Sequence, residues 1–138
     1  MSLVPEVCRG PIVMVDDNDI DLLLARRCCT AAGLDAVFVT FSSGAEFIDH
    51  LDKVRTGSEA MPSVVLLDIN MPGLDGFAVL STMRATTEFS EQPQVTMLTH
   101  SENPRDKEKS LALGASDYFT KPDDISRYIE FFESLCLH

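Results

Sequence analysis

A chain of 138 residues, 45% hydrophobic and 24% charged, has the size and composition of one folded domain rather than of a disordered polymer. Eleven basic residues stand against twenty-two acidic ones, a formal charge of -11 with no Lys/Arg cluster, which argues against nucleic acid as a partner; the acid surplus serves solubility, a cationic partner or a divalent metal. No stretch approaches the roughly 20 apolar residues of a membrane span and MSLVPEVCRG lacks a signal-peptide core, so no membrane partner and a cytoplasmic location are expected.

Residues 1–10 read as an N-terminal tail and 11–138 as a single domain. PIVMV (11–15) is the first strand candidate. Ile20, Leu23, Leu24, Cys28 and Ala31 then recur at helical spacing until Gly33 stops the helix. AVFVT (36–40) is the second strand. Ser43 and Glu46 form an S-x-x-E capping box for a helix striped by Phe47, Ile48, Leu51 and Val54, followed by the polar loop RTGSEAMP (55–62).

SVVLL (63–67) is a continuous apolar run suited to a strand covered on both faces. Asp75 caps a helix carrying Phe77, Leu80 and Met83, and the loop TTEFSEQP (86–93) leads to the strand QVTML (94–98). Asn103 and Pro104 open a fourth helix that ends at Gly114; DYFT (117–120) is the fifth strand. The last helix starts near Asp123 or Asp124 and carries Ile125, Tyr128, Ile129, Phe132 and Cys136. Cys8, Cys28, Cys29 and Cys136 contain no CxxC pair and read as reduced thiols. The alternation predicts an α/β fold, a flavodoxin-like (βα)5 doubly wound parallel sheet of strand order 2-1-3-4-5 with right-handed crossovers.

Such a sheet holds ligands beyond the carboxyl ends of its strands. That edge receives Asp16 and Asp17 after the first strand, Asp68 after the third, Thr99 after the fourth and Lys121 after the fifth. Crowded carboxylates need shared protons or a cation, and hard oxygen ligands suit Mg²⁺ or Mn²⁺. A divalent ion, an ammonium and a hydroxyl around one carboxylate are parts for phosphoryl transfer with Asp68 as the nucleophile. Asp16, Asp17, Asp68 and the backbone carbonyl of Asn70 would hold the metal, while Thr99 and Lys121 contact phosphoryl oxygens. Taken singly, each has a plainer role: Asp68 as a turn cap, Thr99 as a strand-end hydroxyl, Lys121 as a solvated cation. His50, His100 and His138 show no ligand spacing and read as surface or packing residues.

MVDDND, LLDINMPGLDG, LTH and YFTKP together resemble, in order and along nearly the whole chain, the four motif regions of the receiver domain of bacterial two-component response regulators. The resemblance implies Asp68 as phosphoacceptor, with a phosphohistidine of a histidine kinase or histidine phosphotransfer protein as donor. It further implies a cis peptide before Pro122 and a switch in which phosphorylated Asp68 recruits Thr99 and Tyr118 moves inward. The surface of helix four, strand five and helix five would then meet a downstream protein target. Tyr118 is otherwise a core aromatic. Receivers often carry a small residue where His100 stands, so its ring is expected to restrict access to the phosphate.

With no output domain after the fifth helix, the chain resembles stand-alone receivers, either chemotaxis-type regulators or phosphorelay shuttles, unless an effector domain has been cut away. Its longer stretch before Asp68 resembles small receivers partnered with phytochrome-type kinases. Phe131 and Leu135, beside the last helix's stripe, indicate either core packing or a homodimer or partner contact. Asn70 and Ser101 stand where they would position or obstruct an attacking water. Two rivals remain: a receiver-like scaffold independent of phosphorylation, which usually loses an acidic or lysine position, and a haloacid-dehalogenase-like phosphatase, which wants an acid where Asn70 stands.

Overall fold

A computed structural model describes residues 10–100 and 102–135; Cys8, Ser101, Cys136 and His138 lie outside the described residues, as does most of the expected tail. Strands β1 (Ile12–Val15), β2 (Phe38–Phe41), β3 (Val64–Leu67), β4 (Gln94–Thr99) and β5 (Asp117–Thr120) alternate with five helices. These are α1 (Asp19–Ala31), α2 (Gly44–Arg55), α3 (Gly76–Ala85), α4 (Pro104–Ala112) and α5 (Ile125–Ser134). Every strand pairing is parallel and the order is β2-β1-β3-β4-β5, the expected flavodoxin-like sheet.

Burial on both faces explains the continuous apolar runs. Val13, Val15, Val65 and Leu67 pack with Phe47 and Leu51 of α2 and Val79, Leu80 and Met83 of α3. Ile12, Met14, Val64 and Leu66, one residue out of phase, pack with Ala25, Cys28 and Cys29 of α1 and Tyr128, Phe131 and Phe132 of α5. The central strands β1 and β3 are therefore buried along their whole length, and their carboxyl ends run directly into polar residues.

Side-chain caps set the helix starts, at Asn103 and Asp124 as expected and also at Asn18. Asn18 accepts from the N–H groups of Ile20 and Asp21, Asn103 from that of Arg105, and Asp124 from that of Ser126. Ser43 Oγ accepts from the Glu46 N–H, but the Glu46 carboxylate reaches back to Ser42 rather than to Ser43, one residue further than the expected box. Asp75 accepts from the Ala78 N–H at 2.9 Å, directly after the turn that carries Asp68. Asp75→Ala is expected to lower unfolding free energy by about 1 kcal/mol in a urea titration, the usual effect of losing an N-cap.

Two helices are rotated from the expected stripes, although Cys28, Tyr128 and Phe132 are buried as expected. Ile20 and Leu23 are 76% and 54% exposed, and the buried stripe of α1 runs through Ala25, Cys28 and Cys29. Their small side chains let α1 lie close to the sheet and to α5. In α5, Ile125 is exposed at 57%, whereas Phe131 is buried and stacks on Phe119 with ring centroids 4.1 Å apart. The aromatic surplus that suggests a dimer contact is thus largely packed inside. β2 also begins two residues later than expected, because Asp35–Val37 turn as a short 3-10 helix.

Candidate functional site

The backbone ladder continues past the strand ends and fixes the polar residues there. The Asp16 N–H donates to the Phe41 carbonyl at 3.1 Å, the Asp68 N–H to Val15 at 3.0 Å, and the Lys121 N–H to Thr99 at 2.7 Å. Asp16, Asp68, Thr99 and Lys121 are all buried, while Asp17 stands exposed at the rim. Carboxylate oxygens of Asp16, Asp17 and Asp68 lie within 4.8 Å of one another.

Lys121 enters this cluster from the end of β5. Its Nζ donates to Asp16 Oδ2 at 2.6 Å and to Asp21 Oδ2 at 2.8 Å, and stands 3.8 Å from Asp68 Oδ2. His100 Nε2 lies 3.2 Å from the same Asp21 oxygen. Burial would lower the lysine's pKa, but its bonds to Asp16 and Asp21 and the charge of Asp68 outweigh this and hold the ammonium above its ordinary value.

Asp68 is in the opposite position. Burial pushes its carboxyl up to about 7; Lys121 opposes the shift, the Asp16 charge adds to it, and the Asn70 N–H, 3.4 Å from Oδ1, opposes it weakly. Asp21 is also desolvated, yet the hydrogen bond and charge of Lys121, with help from His100, bring its carboxyl below the ordinary value. At neutral pH the site therefore contains a firmly ionised lysine and Asp21 around an Asp68 balanced between a proton and an incoming cation.

Asp17, Asp68, Asn70, Thr99 and His100 line one open cleft of about 350 Å³, together with Asn18 and Asp21. Among the described residues a larger depression of about 1060 Å³, lined by Ser63, Gln94, Ser116 and Phe131, opens at the amino ends of β3 to β5 and holds none of this chemistry.

The matching family description, over residues 12–133, is the response regulator receiver domain. The chain belongs to that family. This receiver is 32% identical over 130 residues to the DNA-binding transcriptional regulator NtrC of Escherichia coli (strain K12), a match covering 94% of this chain and 25% of NtrC. Among solved structures, the response regulator RPA3017 in red light signalling of R. palustris is 30% identical with a TM-score of 0.79, covering 91% of this chain and 90% of that one. The phosphorylated cyanobacterial phytochrome response regulator RcpA is 26% identical with a TM-score of 0.77, again over 91% of this chain and 90% of that one. The receiver thus matches nearly whole solved chains but only a quarter of the NtrC length.

Receiver domains bind Mg²⁺ or Mn²⁺ in an acidic pocket, and the donors here fit. The set is oxygen only, two buried carboxylates and one exposed with their oxygens within 4.8 Å of one another, a crowding that a cation would relieve. Of the residues singled out in the sequence, Asp16, Asp17, Asp68, Asn70, Thr99 and Lys121 converge. Tyr118 does not line the cleft; it is half-buried on β5 against the core shared with α2 and α3. The peptide before Pro122 is trans, contrary to expectation, and the cis bond among the described residues precedes Pro93. Trans is the intrinsically favoured isomer, and Lys121 reaches Asp16 and Asp21 from it.

Asp21 is a site residue that the sequence reading misses. Its signal is helical phase: Ala25 and Cys28 follow it at i+4 and i+7, so the stripe that faces the core carries Asp21 at its upper end.

Proposed function

We propose that this receiver accepts a phosphoryl group on Asp68 from a phosphohistidine of a cytoplasmic histidine kinase or histidine phosphotransfer protein, and signals through a changed protein-binding surface. The supporting observation is the setting of Asp68: a buried carboxylate in an acidic cleft, beside buried Thr99, with a buried ammonium 3.8 Å away. A relative of the same fold, RcpA, has been solved in a phosphorylated form.

In this reading an ionised Asp68 oxygen attacks the donor's phosphorus. The new O–P bond forms as the P–N bond breaks, and the bonding pair returns to the imidazole nitrogen, which then takes a proton from solvent. Asp16, Asp17, Asp68 and the Asn70 carbonyl would hold Mg²⁺ or Mn²⁺, which would supply neutralisation of charge on the phosphoryl oxygens. Lys121 and the Thr99 hydroxyl each take a phosphoryl oxygen. The protein is modified once per donor and turns over no substrate of its own.

Output follows from how thinly α4 is attached. Ser110 is the one buried residue of that helix, so its packing is among the cheapest in the fold to rearrange. Movement of Thr99 toward the phosphoryl group leaves room for Tyr118 to turn inward, and the face of α4, β5 and α5 changes for a downstream protein.

Intact-mass spectrometry after incubation with acetyl phosphate and Mg²⁺ tests the reading. One phosphoryl increment is expected, absent when a chelator is added. No increment with acetyl phosphate or phosphoramidate, or steady turnover of p-nitrophenyl phosphate, would overturn it.

A further inference from the structure

Asp21 lies outside the carboxylate cluster that fits a metal, yet it is one of two anions gripping Lys121. We propose that Asp21 is a positioning residue that holds Lys121 back from Asp68 by the width of a phosphoryl oxygen; this rests on Asp68 being the phosphoacceptor. The Nζ to Oδ2 separation of 3.8 Å is too long for a hydrogen bond, which spans roughly 2.7 to 3.2 Å. The oxygens of a phosphoryl group joined to Asp68 stand further out than the carboxylate itself. They come within reach of an ammonium that stays where it is.

Two anions on different elements keep it there: Asp16 at the end of β1 and Asp21 in the first turn of α1. Asp21 is itself held, since its N–H donates to Asn18 Oδ1 at 3.0 Å and His100 Nε2 meets its carboxylate from the loop after β4. A cation entering the acidic cluster competes with Lys121 for Asp16 but not for Asp21. Asp21 is therefore the partner on which the lysine's position depends once a metal has entered.

Without the Asp21 charge the ammonium keeps only Asp16, at 2.6 Å, and when a metal draws that carboxylate away the next anion within reach is Asp68, at 3.8 Å. A direct Lys121–Asp68 pair would occupy the oxygen that must attack and the space that phosphorus must enter. Asp21→Asn should thus slow phosphorylation although it removes a negative charge from the path of a negative donor, the opposite of what simple electrostatic relief predicts.

The test compares wild type, Asp21→Asn, Lys121→Met and the double variant for phosphorylation rate from acetyl phosphate at saturating Mg²⁺. Mg²⁺ affinity is measured by calorimetry alongside. Asp21→Asn is expected to slow uptake by about tenfold or more, the usual cost of losing a partner that orients a site residue, with Mg²⁺ affinity near wild type. In the Lys121→Met background it should add nothing, because its effect passes through the lysine. Should the lysine variants fail to fold, ¹⁵N-edited NMR of the Lys121 ammonium decides: its resonance shifts in Asp21→Asn if the lysine moves. An unslowed Asp21→Asn, additive losses in the double variant, or an unmoved ammonium resonance would overturn the inference while wild type is still phosphorylated. A wild type that takes up no phosphoryl group would overturn the parent reading and this one with it.

Discussion

Asp68→Asn is expected to take up no phosphoryl group from acetyl phosphate, and yet to melt at a higher temperature than wild type in metal-free buffer at neutral pH. The amide keeps the size and shape of the side chain but lacks an anionic oxygen to attack phosphorus. It also lifts a burden from the apo fold. In the folded chain burial pushes the Asp68 carboxyl up to about 7 from an ordinary value of 3.8, with the Asp16 charge adding to the shift against Lys121. Between those values the folded state binds a proton that the unfolded chain has released, so stability falls as pH rises. This contribution of Asp68 is complete below the unfolded value and is lost as pH passes through about 7. The substituted amide does not titrate, so the gap in Tm between variant and wild type should widen on going from acid to neutral pH. Mg²⁺ should raise the Tm of wild type by mass action and that of the variant much less. Circular dichroism melts at several pH values, with Mg²⁺ or a chelator, measure both effects. Equal Tm values at every pH would mean that Asp68 is an unstrained surface carboxylate.

The sheet is legible because its physics is periodic. Residues buried on both faces write themselves as unbroken apolar runs, as in VVLL of β3, and the polar residue that ends each run marks the ligand edge. Convergence of Asp16, Asp17, Asp68, Thr99 and Lys121 follows from parallel topology alone. What one-dimensional spacing does not carry is the rotation of a helix that has apolar residues on more than one face. In α1 the stripe through Ile20 and Leu23 looks more hydrophobic than the one through Ala25, Cys28 and Cys29, but close packing against β1 and α5 selects the smaller side chains. Choosing the bulkier stripe turns Asp21 outward and hides its bond to Lys121. Phe131 is a second instance, since its place against Phe119 depends on β5, which is not its neighbour in any helical repeat. The trans bond before Pro122 is a third: the isomer depends on surroundings that the dipeptide does not contain.

Gly76→Ala should be among the most damaging single-methyl additions in the chain, and the reason lies in the turn that carries Asp68. A Cβ on Gly76 would stand 2.2 Å from the Asp68 carbonyl oxygen and 2.8 Å from the Ile69 Cα. Both are backbone atoms that no rotamer change can withdraw. The Gly76 N–H also donates to the Ile69 carbonyl at 2.9 Å, so the first residue of α3 is tied directly under the turn. Relief requires the turn and the helix to part. The expected destabilisation is about 3 kcal/mol, the upper range for overpacking a well-filled interior. Displacing the Asp68 backbone also moves its carboxylate relative to Asp16 and Lys121, and a shift on the order of 1 Å can slow a positioned reaction about a hundredfold. Gly73 supplies the control. It stands at φ 74°, and an added Cβ there would meet nothing within 4 Å. Gly73→Ala should lose about 1 kcal/mol from the left-handed backbone while phosphorylation stays near the wild-type rate. If Gly76→Ala instead matched Gly73→Ala in both stability and rate, the close approach of α3 to the Asp68 turn would not be what holds the carboxylate in place.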